Sequence, residues 1–206
     1  MASGPRTLDG QRFPSVARYL DRLPGGLAAY PHWQGKASLL RSVLDTYPLH
    51  ESVPYLPDTL AELIRFPPPT AHWIPEVHFR ALMRVVLDAH FRSPAAFIAW
   101  SYSAQQRMLG GALYRVLFAL ISPERVARGA PGLWANFHRG STLTIDLGRQ
   151  EGTVTMTYPE HTQEELDQEA TLAGLRVAVE LSGGRGVRST TLELGPTQSK
   201  AQIIWR

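Results

Sequence analysis

The sequence predicts an α+β fold: an N-terminal helical portion packed with a four-stranded antiparallel sheet, in the order helices, hairpin, helix, hairpin. Three observations carry this. Up to about residue 140 the apolar residues recur at spacings of three and four, the period of amphipathic helices. After Gly140 the period drops to two, in TLTIDL and TVTMTY. One further helix-period segment, about 164–182, separates this hairpin from a closing pair of strands. Helices segregated from antiparallel strands in this way define the α+β class. With 206 residues, 44% of them hydrophobic, the chain can build a single core, since a chain of this size hides roughly 70% of its unfolded surface. The organisation read from it is a flexible N-terminus over 1–12 and one α+β domain over 13–206.

The elements follow in order. Residues 1 to 12 are polar and carry Gly and Pro, so they are expected to fray. Ser15 can cap a short helix with Val16, Tyr19, Leu20 and Leu23 inward, stopped by Pro24-Gly25-Gly26. A second helix is expected from about Gln34 to Thr46, through Leu39, Leu40, Val43 and Leu44. Asp58 can cap a third, DTLAELIRF, which Pro67-Pro68-Pro69 ends; three prolines between helices read as a stiff connector more readily than as a polyproline ligand. The strongest helix begins at Pro75. Phe79, Leu82, Met83, Val86, Leu87 and His90 form its expected core face, and Glu76, Arg80, Arg84 and Asp88 a wet face of i,i+4 pairs.

Ser93-Pro94 opens the next helix, which runs to Gly110-Gly111. Leu113, Val116, Leu117, Leu120 and Ile121 continue the stripe, and the two glycines either kink one helix or separate two. Ser122-Pro123 repeats the start signal, with Pro131 allowing a kink. In the 164–182 helix, Leu166, Ala170, Ala173, Gly174, Val177 and Leu181 form a stripe of mostly small residues, and Leu172, Leu175 and Val179 form a second. Strands about Val187–Leu194 and Ala201–Trp205 close the chain around a turn at Gly195-Pro196.

Composition excludes several functions. No cysteine is present, which removes disulfides, cysteine-type zinc sites, iron–sulfur clusters and thiol catalysis. The net charge is only +3, and the 19 arginines among 21 basic residues form no consecutive block, which argues against a nucleic-acid partner. Residues 1–140 carry 15 basic and 9 acidic groups, and 141–206 carry 6 and 9. The N-terminus has no apolar signal region and no stretch approaches about 20 apolar residues, so a cytoplasmic protein with no membrane partner is expected.

Chemical motifs are equally sparse. His72, His78 and His90 are not spaced to bring two rings together and there is no HExxH, so no metal site is read. His138, after a helix, is expected to bond a last-turn carbonyl or to complement the helix dipole. Neither a GxSxG elbow nor a Walker A or Rossmann loop is present, and GGRG at 183–186 runs from helix to strand, the reverse of a phosphate cradle. The chain is therefore read as non-enzymatic and without a cofactor. Aromatics are the remaining lead: Phe97, Trp100 and Tyr102 share one helix, with Tyr114, Phe118, Trp134 and Phe137 on the next two. An apolar pocket between these helices, with His90, Phe97, Trp100, Tyr102, Phe118 and Trp134 as candidate lining, is where a small molecule would bind.

Three stretches carry a resemblance: YPHWQGKASLLRSVL at 30–44, LPDTLAELIRFPPPTAHWIPEVHFRAL at 56–82, and ALYRVLFALISPERVARGAPGLWANFHRGSTL at 112–143. With the closing IIWR, the chain resembles a protein family of unassigned function abundant in myxobacteria. More remotely, the order of elements resembles the superfamily of haem nitric-oxide-binding domains, 4-vinyl-reductase-type sensor domains and TRAPP subunits. That resemblance implies a small-ligand or interaction module, often a homodimer. The chain departs from it in three places. The haem-domain motif Tyr-x-Ser-x-Arg has only Tyr102-Ser103-Ala104-Gln105-Gln106-Arg107 as its nearest text, and the cysteines that hold zinc or an acyl chain elsewhere in the superfamily are absent.

Two functional readings stand side by side: a regulatory module sensing a small apolar ligand, and a protein-interaction or scaffolding module with none. The stripe of Leu172, Leu175 and Val179 is either core or a homodimer interface.

Overall fold

A computed structural model describes residues 6–111, 118 and 120–206, and these form two compact units. The first comprises the described residues up to Ser93 together with Phe137–Gly140; the second comprises those of Pro94–Asn136 and Ser141–Arg206. Tyr114, with Leu113, Val116 and Leu117, lies outside the described residues. No described helix is long and apolar enough to cross a membrane.

The first unit is built on helices α1 (Pro14–Asp21), α2 (Ala37–Leu44), α3 (Asp58–Arg65) and α4 (Glu76–His90), and on three short strands, β1 (Gln34–Lys36), β2 (Trp73–Pro75) and β3 (His138–Arg139). The strands form a sheet in the order β2-β1-β3, with Gly35 opposite both Ile74 and His138. This small sheet corrects two expectations. The second helix starts at Ala37, because Gln34–Lys36 is extended, and His138, directly after the helix that ends at Phe137, opens a strand. Both differences have one cause: the pairing partners are distant in sequence, so no local periodicity records them.

Helix starts in this unit are satisfied from afar. Ser15 does not cap α1. Its own N–H donates to the Asp88 carboxylate of α4 at 2.9 Å, so a distant acid takes one of the orphan amides of the first turn. Asp58 is the first residue of α3, behind Pro57, and its carboxylate receives Arg6 Nε at 2.7 Å. The Arg6 guanidinium holds that carboxyl below its ordinary range. Asp9 donates its N–H to Tyr55 O, and its carboxylate accepts the amides of Gln11 and Arg12. Residues 6–12 are thus held, a correction to the frayed N-terminus. Arg41 donates to the carbonyls of Pro67 and Pro68, fixing the triple proline as a connector.

Helix α4 differs most from its sequence pattern. Val77, Ala81, Leu82, Val85 and Val86 are fully buried, and so are the supposedly wet Glu76, Arg80 and Arg84. His90 is exposed at the helix end, its ring 4.7 Å from that of Tyr47, so it is not a core histidine. Periodicity divides a helix into two faces, but this one is surrounded over most of its circumference, and pairing lets the charged side be buried as well.

The second unit contains α5 (Pro94–Leu109), α6 (Pro123–Phe137), strands β4 (Thr142–Leu147), β5 (Glu151–Thr157), β6 (Arg188–Leu194) and β7 (Gln198–Ile204), and α7 (Glu165–Leu181). Its sheet is antiparallel, ordered β4-β5-β7-β6. The fold is α+β. Alternation places Leu143, Val154, Met156 and Ile203 on the buried face, where they meet Ala127 and Ala130 of α6, Val179 of α7 and Trp205. The Trp205 indole N–H donates to Glu124, and Tyr158 Oη to Gly195 O. Helix α7 opens with a capping box between Glu164 and Asp167. Helix α5 ends at Leu109, where Gly110 N–H donates to Gln106 O, and α6 runs through Pro131 without a break.

The two stripes of α7 face different neighbours. Val179 and Leu175 pack on the sheet, and Leu172 is fully buried. Val177, Ala178 and Leu181 pack with Leu109, Phe118 and Tyr102. Leu172 and Val179 are therefore core, and Leu175 is half-buried against the sheet cluster.

Two predictions arise from the first unit. A Cβ on Gly35 would overlap the Glu76 carboxylate, so Gly35→Ala should destabilise the protein by about 1–3 kcal/mol in urea unfolding; an unchanged midpoint contradicts this packing. His78 is half-buried and its Nε2–H donates to Leu27 O at 3.0 Å. Burial pushes its imidazole below the ordinary value, and the carbonyl only partly opposes this. The unfolded chain then binds a proton that the folded one refuses. Stability should hold above about pH 6.5 and fall as the pH drops below it. Unfolding curves of His78→Gln against pH should lack that component of the slope.

Candidate functional site

The candidate site lies in the second unit, where α5 and α7 run together. Beside Gly174, the Gln105 side-chain amide lies at ordinary contact distance, 3.5 Å from where a Cβ would be. Tyr102 of α5 donates its hydroxyl to the Glu180 carboxylate of α7 in a short hydrogen bond. Burial and then the Glu180 carboxylate push this phenol up to about 12, so it stays a neutral donor throughout the physiological range. Arg176, one turn before Glu180, holds its guanidinium 5.6 Å from the Tyr102 ring centre. Its Nε is buried without a hydrogen-bond partner among the described residues. Tyr102 packs against the apolar cluster of Leu109, Phe118, Val177 and Ala178, with Leu181 alongside. The arrangement sets a few convergent polar groups at the edge of an apolar cluster, the composition of a small-molecule site.

The six candidate lining residues are only partly gathered. Tyr102 and Phe118 share this cluster. Phe97 and Trp100 contact each other, with ring centres 5.4 Å apart, and Phe97 is 1% exposed. Trp134 packs on the sheet cluster and donates its indole N–H to Ser141 Oγ at 3.2 Å. His90 belongs to the first unit. Sequence reasoning missed Glu180 and Arg176 as site residues. Their i,i+4 spacing was visible, but nothing local connects them to Tyr102, 78 residues before Glu180.

A second polar cluster, also missed, lies inside the first unit. Glu76 is 1% exposed, with Arg80 Nε 3.3 Å from one carboxylate oxygen and His138 Nδ1 3.3 Å from the other. The Arg80 guanidinium lies 4.9 Å from the Trp33 ring centre, and that of Arg84 lies 4.0 Å from the Tyr19 ring centre. Buried charge paired and stacked in this way is internally compensated, which is the chemistry of a structural knot.

No protein-family profile matches this chain, and no curated protein matches its sequence. Solved structures do. A structure described as "Structural insights into the molecular mechanism of H-NOX activation" superposes with a TM-score of 0.59 at 8% identity, covering 82% of this chain and 94% of that one. An H-NOX protein from S. oneidensis gives 0.54 at 11% identity, covering 83% and 96%. An oxygen-binding H-NOX domain related to soluble guanylate cyclases gives 0.53 at 9% identity, covering 82% and 92%.

Other matching structures are described by their haem, as in "Probing the function of heme distortion in the H-NOX family", and that group sets a test for the donor set of this chain. Haem iron takes histidine, cysteine, methionine or tyrosine as axial ligand. Cysteine is absent. His161, the histidine of the second unit, is exposed on a turn beside Glu160. In the first unit His32, His50, His72 and His90 are exposed, His78 is bonded to Leu27 and His138 to Glu76. Tyr102 is committed to Glu180, Tyr158 to Gly195, and Arg107, which ends the nearest approach to the haem motif, is exposed. No group of three or more metal-ligating side chains exists among the described residues. None of these histidines, and neither Tyr102 nor Tyr158, offers haem iron a buried, uncommitted axial donor. The chain has the fold of the H-NOX domains.

Proposed function

We propose that residues 13–206 act as one non-enzymatic regulatory module that senses a small, mainly apolar ligand held between helices, at the α5–α7 seam. The observation that carries this is the Tyr102–Glu180–Arg176 group at the edge of an apolar cluster, with Arg176 Nε left unsatisfied among the described residues. A buried polar atom without a partner calls for an explanation, and a ligand acceptor supplies one. Phe118 and Tyr102 give the ligand apolar contact, and Phe97 and Trp100 extend the aromatic surface along α5. The likeness to H-NOX domains supports a sensing role for the fold, and the donor set points to a ligand other than haem.

The second reading, an interaction or scaffolding module with no ligand, is favoured by one observation. Phe97 and Phe118 are 1% and 6% exposed, as expected of aromatics that simply pack.

Native mass spectrometry of the purified protein separates the two. The sensor reading predicts a non-covalently bound small molecule and no Soret absorbance after incubation with hemin. Tyr102→Phe and Arg176→Leu should weaken ligand retention about tenfold or more, the worth of a hydrogen bond to a charged group. A ligand-free protein that co-purifies with a partner or as an oligomer supports the second reading. Stoichiometric haem contradicts the site assignment, and turnover of a substrate overturns both readings.

A further inference from the structure

The outer face of the small β2-β1-β3 sheet carries chemistry that the proposed ligand site does not use. Residues directly opposite one another in a sheet share a face, and so do residues two apart on a strand. Gly35, Ile74 and His138 are cross-strand neighbours, and Gly35 lies against the buried Glu76 carboxylate, so this is the inner face. The other face then carries Trp73 opposite Lys36, Pro75 opposite Gln34, and Arg139 opposite Gln34 from the far side.

On that face two cations converge on one indole. Lys36 Nζ lies 4.1 Å from the centre of the Trp73 ring, and Arg139 reaches across the middle strand to place its Cζ 3.9 Å from it. Lys36 donates one proton to Ala71 O at 3.0 Å, which leaves two donors on the ammonium. Arg139 is exposed. Neither cation has a carboxylate within ion-pair distance among the described residues. Two arginines of this unit show the contrast: Arg80, which also lies over an indole, pairs with Glu76, and Arg6 pairs with Asp58. Packing against Trp73 accounts for the aliphatic stems of Lys36 and Arg139, but two like charges held at one ring without a counter-charge are not self-sufficient.

We propose that the Lys36–Trp73–Arg139 face is a docking surface for an acidic, extended segment of a partner protein, whose carboxylates supply the missing counter-charges. The indole holds the guanidinium fork and the ammonium in fixed positions, so they meet the carboxylates preorganised. Alternate residues of an extended segment project to one side about 6.6–6.8 Å apart. Lys36 Nζ and Arg139 Cζ lie 4.1 Å and 3.9 Å from one ring centre, so at most about 8 Å separates them, a gap that Asp or Glu at two alternate positions can span. A nucleic acid is disfavoured on the same geometry. The phosphate backbone calls for a longer row of cations, and an indole already covered by two cations has no free face for base stacking. Partner docking here is independent of the ligand site between α5 and α7.

The test uses the full chain and a synthetic peptide with Glu at alternate positions, together with its Gln counterpart, in calorimetric titrations at low and high salt. The Glu peptide is expected to bind, and the Gln peptide to bind at least tenfold more weakly. The double variant Lys36→Gln/Arg139→Gln should lose at least tenfold affinity together with most of the salt dependence, while its thermal unfolding and its ligand retention at the α5–α7 seam stay at the parent level. Equal binding of both peptides, or undiminished binding by a folded double variant, overturns the proposal. Binding to phosphatidylserine vesicles that the double variant abolishes, with no binding of the Glu peptide, also overturns it by assigning the face to a lipid surface.

Discussion

A carboxylate removed from water must be paid for by partners, and Glu76 imposes that condition on the first unit. It starts α4, it is almost fully buried, and its two oxygens face Arg80 and His138. The carboxylate lies against Gly35, so the middle strand of the small sheet must carry no side chain at that point. One residue therefore fixes the entry to α4, the identity of residue 35, and the docking of β3, which arrives from a segment about 60 residues further along the chain. An unpaired charge at such a depth would cost several kcal/mol, which makes this knot a condition of the fold more than a bonus to its stability. The outward consequence is the Lys36–Trp73–Arg139 face, because pinning the inner residues of β1 and β3 points their neighbours away from the core.

The second unit is organised by a different constraint, a helix covered on both sides. α7 places Val179 and Leu175 on the sheet and Val177, Ala178 and Leu181 against the α5 side. Small residues make this possible: Ala173 and Ala178 keep the helix narrow. Tyr102, Glu180 and Arg176 interrupt the apolar seam at one place. That interruption distinguishes a candidate binding site from a continuous core, and it uses no histidine.

Much of the second unit was legible in the sequence. Period-two alternation in TLTIDL and TVTMTY and the double stripe of α7 translate directly into strands β4 and β5 and a two-sided helix. The first unit was less legible, for reasons particular residues show. Gln34–Lys36, Trp73–Pro75 and His138–Arg139 are too short to carry a period, and their pairing is non-local. Glu76, Arg80 and Arg84 have the spacing of a solvated face, and only their tertiary partners reveal that they are buried. Ser15 and Asp58 look like helix caps, yet they meet Asp88 and Arg6 from elsewhere in the chain. At the candidate site Tyr102 and Phe118 were identifiable as aromatics on adjoining segments, whereas Glu180 and Arg176 had no local signature.

The central claim, that the Glu76 carboxylate ties α4 to the small sheet, is tested most directly by a double-mutant cycle on folding stability with Glu76→Gln and His138→Gln. The account predicts that Glu76→Gln alone costs about 3–5 kcal/mol by removing the buried charge that Arg80 and His138 face, and that the two substitutions couple by about 0.5–3 kcal/mol. A mild loss for Glu76→Gln together with strictly additive effects would contradict it.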